Sequence, residues 1–165
     1  MTDVTEQWQR RVDAVWADES LDDDARIVTI DQLARELGPQ HPVALFERAG
    51  ARDSAGREAD AEPLYRAALS AGLDPYRRTR AVIQLASTIR NLGRVDEALG
   101  MLREEYDATR GGELADEAAA FYALALASSG DAVRAASISL TALAPHLTRY
   151  TRSVTGYAAE LVDAP

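Results

Sequence analysis

Two histidines, a set of arginines and a large supply of carboxylates are the residues of this chain that could do chemistry. Nucleophilic catalysis would need a serine or threonine held beside a histidine base. His41 precedes Pro42 at a helix start and His146 follows Pro145, so both fall in connections between helices and read as capping or solvent-exposed side chains. Neither has a second histidine or a carboxylate at helical ligand spacing in a cavity-forming setting, so no metal site is expected. The absence of cysteine removes disulfides, zinc–thiolate centres and thiol catalysis. No GxGxxG or Walker-type glycine loop occurs, and no cofactor is expected. Glu58, Asp60, Glu62, Glu104, Glu105, Glu113, Asp116 and Glu117 lie near helix starts or on solvent faces. A glycosidase-like pair would need a defined separation across a cleft, which this pattern does not supply. The chain therefore reads as non-catalytic.

The arginines offer binding chemistry instead. Along "RTRAVIQLASTIRNL", Arg80, Ile83, Gln84, Ser87, Arg90 and Asn91 follow steps of three and four, a mainly polar stripe on one side of a helix. A guanidinium can hold a carboxylate through two parallel N–H bonds, so the stripe suits a carboxylate or an acidic peptide. The alternative is that Arg80 and Arg90 pair with acids on the local surface.

The elements that would position this stripe follow from a repeat. Gly56, Gly93 and Gly130 stand 37 residues apart, and the alanine five residues on, Ala61, Ala98 or Ala135, recurs with them. Before Gly93, the residues Ala81, Ile83, Leu85, Ala86, Ile89 and Leu92 form one broad apolar face; after it, Val95, Ala98, Leu99, Leu102 and Tyr106 form another. The unit is a helical hairpin. Glycine ends the first helix because that position favours positive φ, and alanine there should cost about 1 kcal/mol or more. The small alanine lets the second helix approach closely.

These residues resemble the tetratricopeptide repeat pattern of Trp, Leu-Gly and Tyr on the first helix and Ala, an aromatic and Pro on the second. Leu85-Ala86 stands for Leu-Gly, Ile89 for the tyrosine, Ala98 for the alanine and Leu102 for the aromatic. Around Gly56 the matches are Ala61, Tyr65 and Ala68-Leu69, and around Gly130 they are Tyr122-Ala123, Leu126, Ala135 and Ala142-Leu143. The resemblance covers about 40–145 well, and a bacterial group with 37-residue repeats is its narrower form. It implies an all-α, right-handed superhelix of antiparallel hairpins, about nine helices in all.

The expected organisation is one helical repeat domain over 1–165. Residues 5–37 form a degenerate first hairpin, 41–74, 76–109 and 114–145 form three further hairpins, and 147–162 forms a terminal capping helix. Trp8 takes the tryptophan position of the first hairpin, whose second helix starts with Ser20 as N-cap and Asp22, Asp23 and Asp24 in its first turn. That acidic run reads as a helix start rather than a metal site. In the terminal helix, Tyr150, Val154, Tyr157, Ala158 and Leu161 recur at helical spacing.

Three departures from the family pattern stand out. Arg48 and Arg52 replace an apolar residue and a tyrosine, which weakens packing unless they pair with acids. Pro63 falls in the second turn of its helix, predicting a late start or a bend. The "TRGGEL" connector, 109–114, is the expected flexible joint.

The resemblance implies a partner held in a concave groove lined by the first helices of successive hairpins. The groove residues are then Phe46 and Asp53 with Gly50, then Arg80, Gln84, Ser87, Arg90 and Asn91, then Leu124 with Glu117, Ala120 and Ala127; Trp16 would close one end. The carboxylate clamp of chaperone-binding members relies on lysine and asparagine. Its positions here hold Phe46, Gly50, Ile83, Ser87, Ala120 and Leu124, and the chain has no lysine, so chaperone-tail binding is unsupported.

Composition narrows the partner. With 47% hydrophobic and 27% charged residues the chain can build a core, and a net charge of −9 argues against neutralising a nucleic-acid backbone. The alanine-rich, lysine-free bias looks like that of a high-GC bacterial genome. The first residues lack a continuous apolar stretch, so neither a signal peptide nor a membrane span is expected, and the cytoplasm is the default location. The expected role is a protein-interaction module with a peptide or protein partner. A structural array that forms a homodimer, and an α-helical hydrolase or small-molecule sensor, are the alternatives.

Overall fold

A computed structural model describes residues 4–163. The outermost residues of the expected 1–165 domain, 1–3 and 164–165, lie outside it. The described chain is all-helical: α1 (Glu6–Ala17), α2 (Asp23–Leu37), α3 (Pro42–Ser54), α4 (Glu58–Ala71), α5 (Pro75–Asn91), α6 (Val95–Ala108), α7 (Ala115–Ser128), α8 (Ala132–Leu143) and α9 (Thr151–Asp163). A short 3-10 turn, Ala144–His146, precedes α9. The chain condenses into two compact units, one up to Thr88 and the other from Ile89.

In the first unit, α1 buries Trp8, Val12 and Val15 at steps of four and three, and α2 buries Ile27, Ile30, Leu33, Ala34 and Leu37. The two sets meet Val43, Ala44 and Ala51 of α3 in one apolar cluster. Each large side chain so buried contributes on the order of 1.5–3 kcal/mol. The Trp8 indole N–H donates to the Leu33 carbonyl at 2.9 Å, which satisfies the one polar atom that its burial would strand.

The acidic run does start a helix, but the cap is Asp22, whose carboxylate accepts from the Ala25 N–H at 2.7 Å. Ser20 is not the cap: its hydroxyl and its N–H both donate to Asp18 Oδ1. A carboxylate answers both the orphan N–H groups and the helix dipole, where a hydroxyl answers only the first. At α3, His41 is the N-cap; its Nδ1 accepts from the Val43 N–H and the side chain is buried, so it caps and is not exposed.

The repeated glycines end α3, α5 and α7 in the same way. At Gly93, φ is +86°, the Gly93 N–H donates to the Arg90 carbonyl and the Arg94 N–H reaches back to the Ile89 carbonyl. This is the paired bonding of a Schellman end, and Gly56 and Gly130 repeat it. A Cβ at Gly93 would meet nothing within 4 Å, so the demand for glycine is conformational rather than steric. Ala61, Ala98 and Ala135 are all buried.

Pro63 does not delay α4, which starts at Glu58 with Glu58 and Asp60 in its first turn. Pro63 and Ala59 are exposed, so the carbonyl that loses its intrahelical donor faces the solvent side. Arg48 and Arg52 converge on Asp31: Arg52 forks onto both carboxylate oxygens at 3.0 and 2.8 Å, and Arg48 Nε donates at 3.1 Å. These bonds outweigh the burial that would raise Asp31 and hold its carboxyl below the usual range.

In the second unit, the Tyr106 ring of α6 lies 5.3 Å from the Tyr122 ring of α7 between centroids. Connector 109–114 is a run of closed turns, with Gly112 N–H on the Thr109 carbonyl and Gly111 at φ +71°. The apolar face predicted for the last helix is narrower in fact. Ala158 is its one buried residue among those described, while Tyr150 and Tyr157 are exposed. Tyr150 takes φ +70°, rare for a non-glycine residue, where the chain turns into α9.

Candidate functional site

In the first unit, side chains of α1, α3 and α5 come together. The Trp16 indole N–H donates to Glu47 Oε2 at 2.9 Å, and a Cβ built on Gly50 would stand 3.5 Å from the Trp16 ring. Glu47 is buried, and desolvation pushes its carboxyl up against the opposing pull of Trp16, Arg80 and Arg77. Asp53 accepts from Thr88 Oγ1 at 2.8 Å and from the Tyr65 hydroxyl at 3.3 Å. Burial raises Asp53 as well, ahead of those two bonds, and together with Asp53 it raises the Tyr65 hydroxyl.

Arg80 sits over this group. Its Cζ lies 5.2 Å from the Phe46 ring centroid and 5.8 Å from that of Tyr76. Among the described residues it has no carboxylate in salt-bridge contact. The two rings hold the planar cation in place and leave its N–H edge unmatched. One turn on, Gln84 Oε1 is buried with no hydrogen-bond partner. Arg80 is thus a partly buried cation one helical turn from an unmatched acceptor.

The expected groove residues divide. Phe46 does not line an open face: at 2% exposure it is core, tilted against Tyr65 at 6.2 Å, and its part is to support Arg80. Ile83 is core too. Asp53 is tied to α4 and α5 by Tyr65 and Thr88 rather than open. Gln84 and Ser87 are partly exposed on α5. The remaining three belong to the second unit. Arg90 donates to the Asn91 side chain at 3.3 Å rather than to an acid, Asn91 is exposed, and Leu124 on α7 is 47% exposed. Neither arginine of the stripe pairs with a local acid among the described residues. Glu105, expected on a solvent face, is buried.

Over residues 42–161 the chain matches the family model described as tetratrico peptide repeat. The chain belongs to the tetratricopeptide repeat family. No curated protein matches it. The positions that carry the tetratricopeptide repeat pattern, Leu85, Ala86, Ile89, Ala98 and Leu102, are buried, as are Tyr65 and Tyr122. The family match takes in most of α9 and leaves out α1 and α2. Trp16 and Glu47 thus join a helix outside the matched stretch to one inside it.

Sequence reasoning missed Glu47, Thr88 and Tyr76. Glu47 had a legible signal, a lone acid ending the apolar run "PVALFE". Thr88 had none, because its role depends on Asp53, 35 residues away. Two concavities among the described residues lie away from Arg80, one of about 220 Å³ beside Asp31, Arg35 and Arg48 and one of about 600 Å³ beside Val133, Ile138 and Leu161. Among the described residues no His, Asp and Glu group could hold a metal ion, and no helix is long and apolar enough to cross a membrane.

Proposed function

We infer that this tetratricopeptide repeat protein is a non-catalytic protein-interaction module that holds a peptide or partner segment in a groove floored by α5. The observation that carries this reading is Arg80, stacked on Phe46 and Tyr76 without a salt bridge among the described residues. A surface arginine with no other role would gain by bonding directly to one of the chain's many acids; this one acts on the buried Glu47 carboxyl only through its charge, with no hydrogen bond to it. Partners captured from a lysate by the native chain should be lost by the Arg80→Ala, Arg90→Ala double variant while the helical circular-dichroism signal is kept. Unchanged capture would remove the groove.

A second reading, self-association, is favoured by exposed apolar residues at the end of the second unit, where Val133, Tyr157 and Val162 are each at least half exposed. Light scattering during size-exclusion chromatography tests it, and a strict monomer at high concentration counts against it.

A further inference from the structure

Two groups on one side of α5 have unmet hydrogen-bonding capacity. Arg80 presents N–H donors that make no hydrogen bond or salt bridge among the described residues, its charge reaching Glu47 only at longer range, and Gln84 Oε1 is a buried acceptor with no donor. Leaving a buried acceptor unmatched is costly, so an orientation of the amide that brings the oxygen to a donor is favoured. The terminal amide torsion is soft, and its rotation turns the oxygen towards a segment lying on α5. Residues four apart on a helix stand about 6 Å apart, and an extended chain rises about 3.3 Å per residue. An acceptor for Arg80 and a donor for Gln84 are therefore matched by groups two residues apart on an extended segment.

Resting on the interaction reading above, we propose that the partner is an extended peptide segment with an internal aspartate or glutamate. Its side-chain carboxylate takes the free N–H edge of Arg80, and a backbone N–H two residues away donates to Gln84 Oε1. An internal acid fits better than a chain terminus. A side-chain carboxylate stands off the strand axis and reaches a half-buried guanidinium, whereas a terminal carboxylate stays in line with the backbone. Glu47 accepts from the Trp16 indole N–H and is buried, so its carboxyl is not presented to an incoming acid.

The test is selection of short random segments against the full chain, from one library displayed with both ends fused and a second displayed with a free carboxyl terminus, the first expected to yield binders. The selected segments should share an aspartate or glutamate at one position. Replacing that acid by its amide should weaken binding to the native chain by about tenfold or more. The same replacement should have no effect on binding to Arg80→Gln, whose folding is checked by circular dichroism. Gln84→Leu, an independent variant, should weaken binding to the same segments, as should N-methylation of the backbone two residues from the acid.

An acidic preference that survives in Arg80→Gln overturns the proposal. So do segments that bind this face, as judged by their loss on Ser87→Arg, with no acidic preference, and so does binding that requires a free carboxyl terminus. In those two cases the interaction reading stands. If no segment of either kind is selected, both fall.

Discussion

Thr88 Oγ1 lies 2.8 Å from Asp53 Oδ1 and 3.0 Å from the carbonyl of Gln84 one turn back, so a single hydroxyl proton faces two acceptors. Tyr65 already donates to the other Asp53 oxygen at 3.3 Å. A proton on Asp53 completes the chain: Asp53 donates to Thr88, and Thr88 donates to Gln84. Burial raises the Asp53 carboxyl in the direction of that state.

Asp53→Asn should mimic it. The amide N–H₂ donates to Thr88, the amide oxygen accepts from Tyr65, and no buried charge remains. The sign follows from linkage. A carboxyl whose folded value is raised contributes stability that is fully present below its unfolded value and is lost as pH rises through the folded one. Glu47, raised by burial, acts in the same direction. Native stability should therefore increase as pH falls from 7 towards 4, and Asp53→Asn should flatten part of that rise while staying within about 1 kcal/mol of native at pH 7. Chemical denaturation across this pH range measures both. A loss well above that at pH 7 would mean that the charged form is the one the fold prefers.

Gly93→Ala isolates backbone conformation from packing, because φ is +86° and a Cβ there would meet nothing within 4 Å. The expected loss is about 1 kcal/mol in denaturant unfolding, with Gly93→Asn losing less. Gly50→Ala is the contrast. It lies within α3 without a positive φ, and its Cβ would make an ordinary contact with Trp16, so it should change stability little.

The hairpin ends were legible because their demands are local: a positive φ and two backbone bonds need only the residues on either side of the glycine, and repetition at 37 residues removes chance. Phe46 was misplaced because helical spacing assigns a face without its depth, and at 2% exposure the ring lies beneath the surface it was expected to line. Ser20 lost the cap to Asp22 two residues on, since several polar residues in one turn compete and spacing does not rank them. Glu47 draws its character from Trp16, 31 residues away, a pairing set by packing between helices. The pairing of Arg48 and Arg52 was foreseen as a condition, but Asp31 as the acid was not.

That acid supplies another expectation. Asp31 holds two partly buried guanidinium groups, so Asp31→Ala leaves two cations without their anion and should cost about 2 kcal/mol. A carboxyl held below its ordinary range contributes stability present above its unfolded value and lost as pH falls through the folded one. The native chain should accordingly lose stability on the acid side of about pH 4, and Asp31→Asn should lose less there than the native chain does. Equal acid sensitivity in the two would mean that the ion pair adds nothing beyond its hydrogen bonds.

The last helix hangs on few attachments. Among its described residues only Ala158 is buried, and the Ala158 carbonyl accepts from the buried Ser137 hydroxyl of α8 at 2.7 Å. Ser137→Ala removes that donor and leaves the carbonyl with its helix bond alone, at a cost of about 1 kcal/mol. A helix with so little apolar surface committed to the core opens on its own rather than with the whole unit, so the loss should fall on α9 first. Amide exchange read by mass spectrometry should quicken in 151–163 by about fivefold while the amides of α7 keep their native rates. Quickening spread evenly over both helices would mean that α8 and α9 open as one piece, with Ser137 supporting the unit rather than fastening its end.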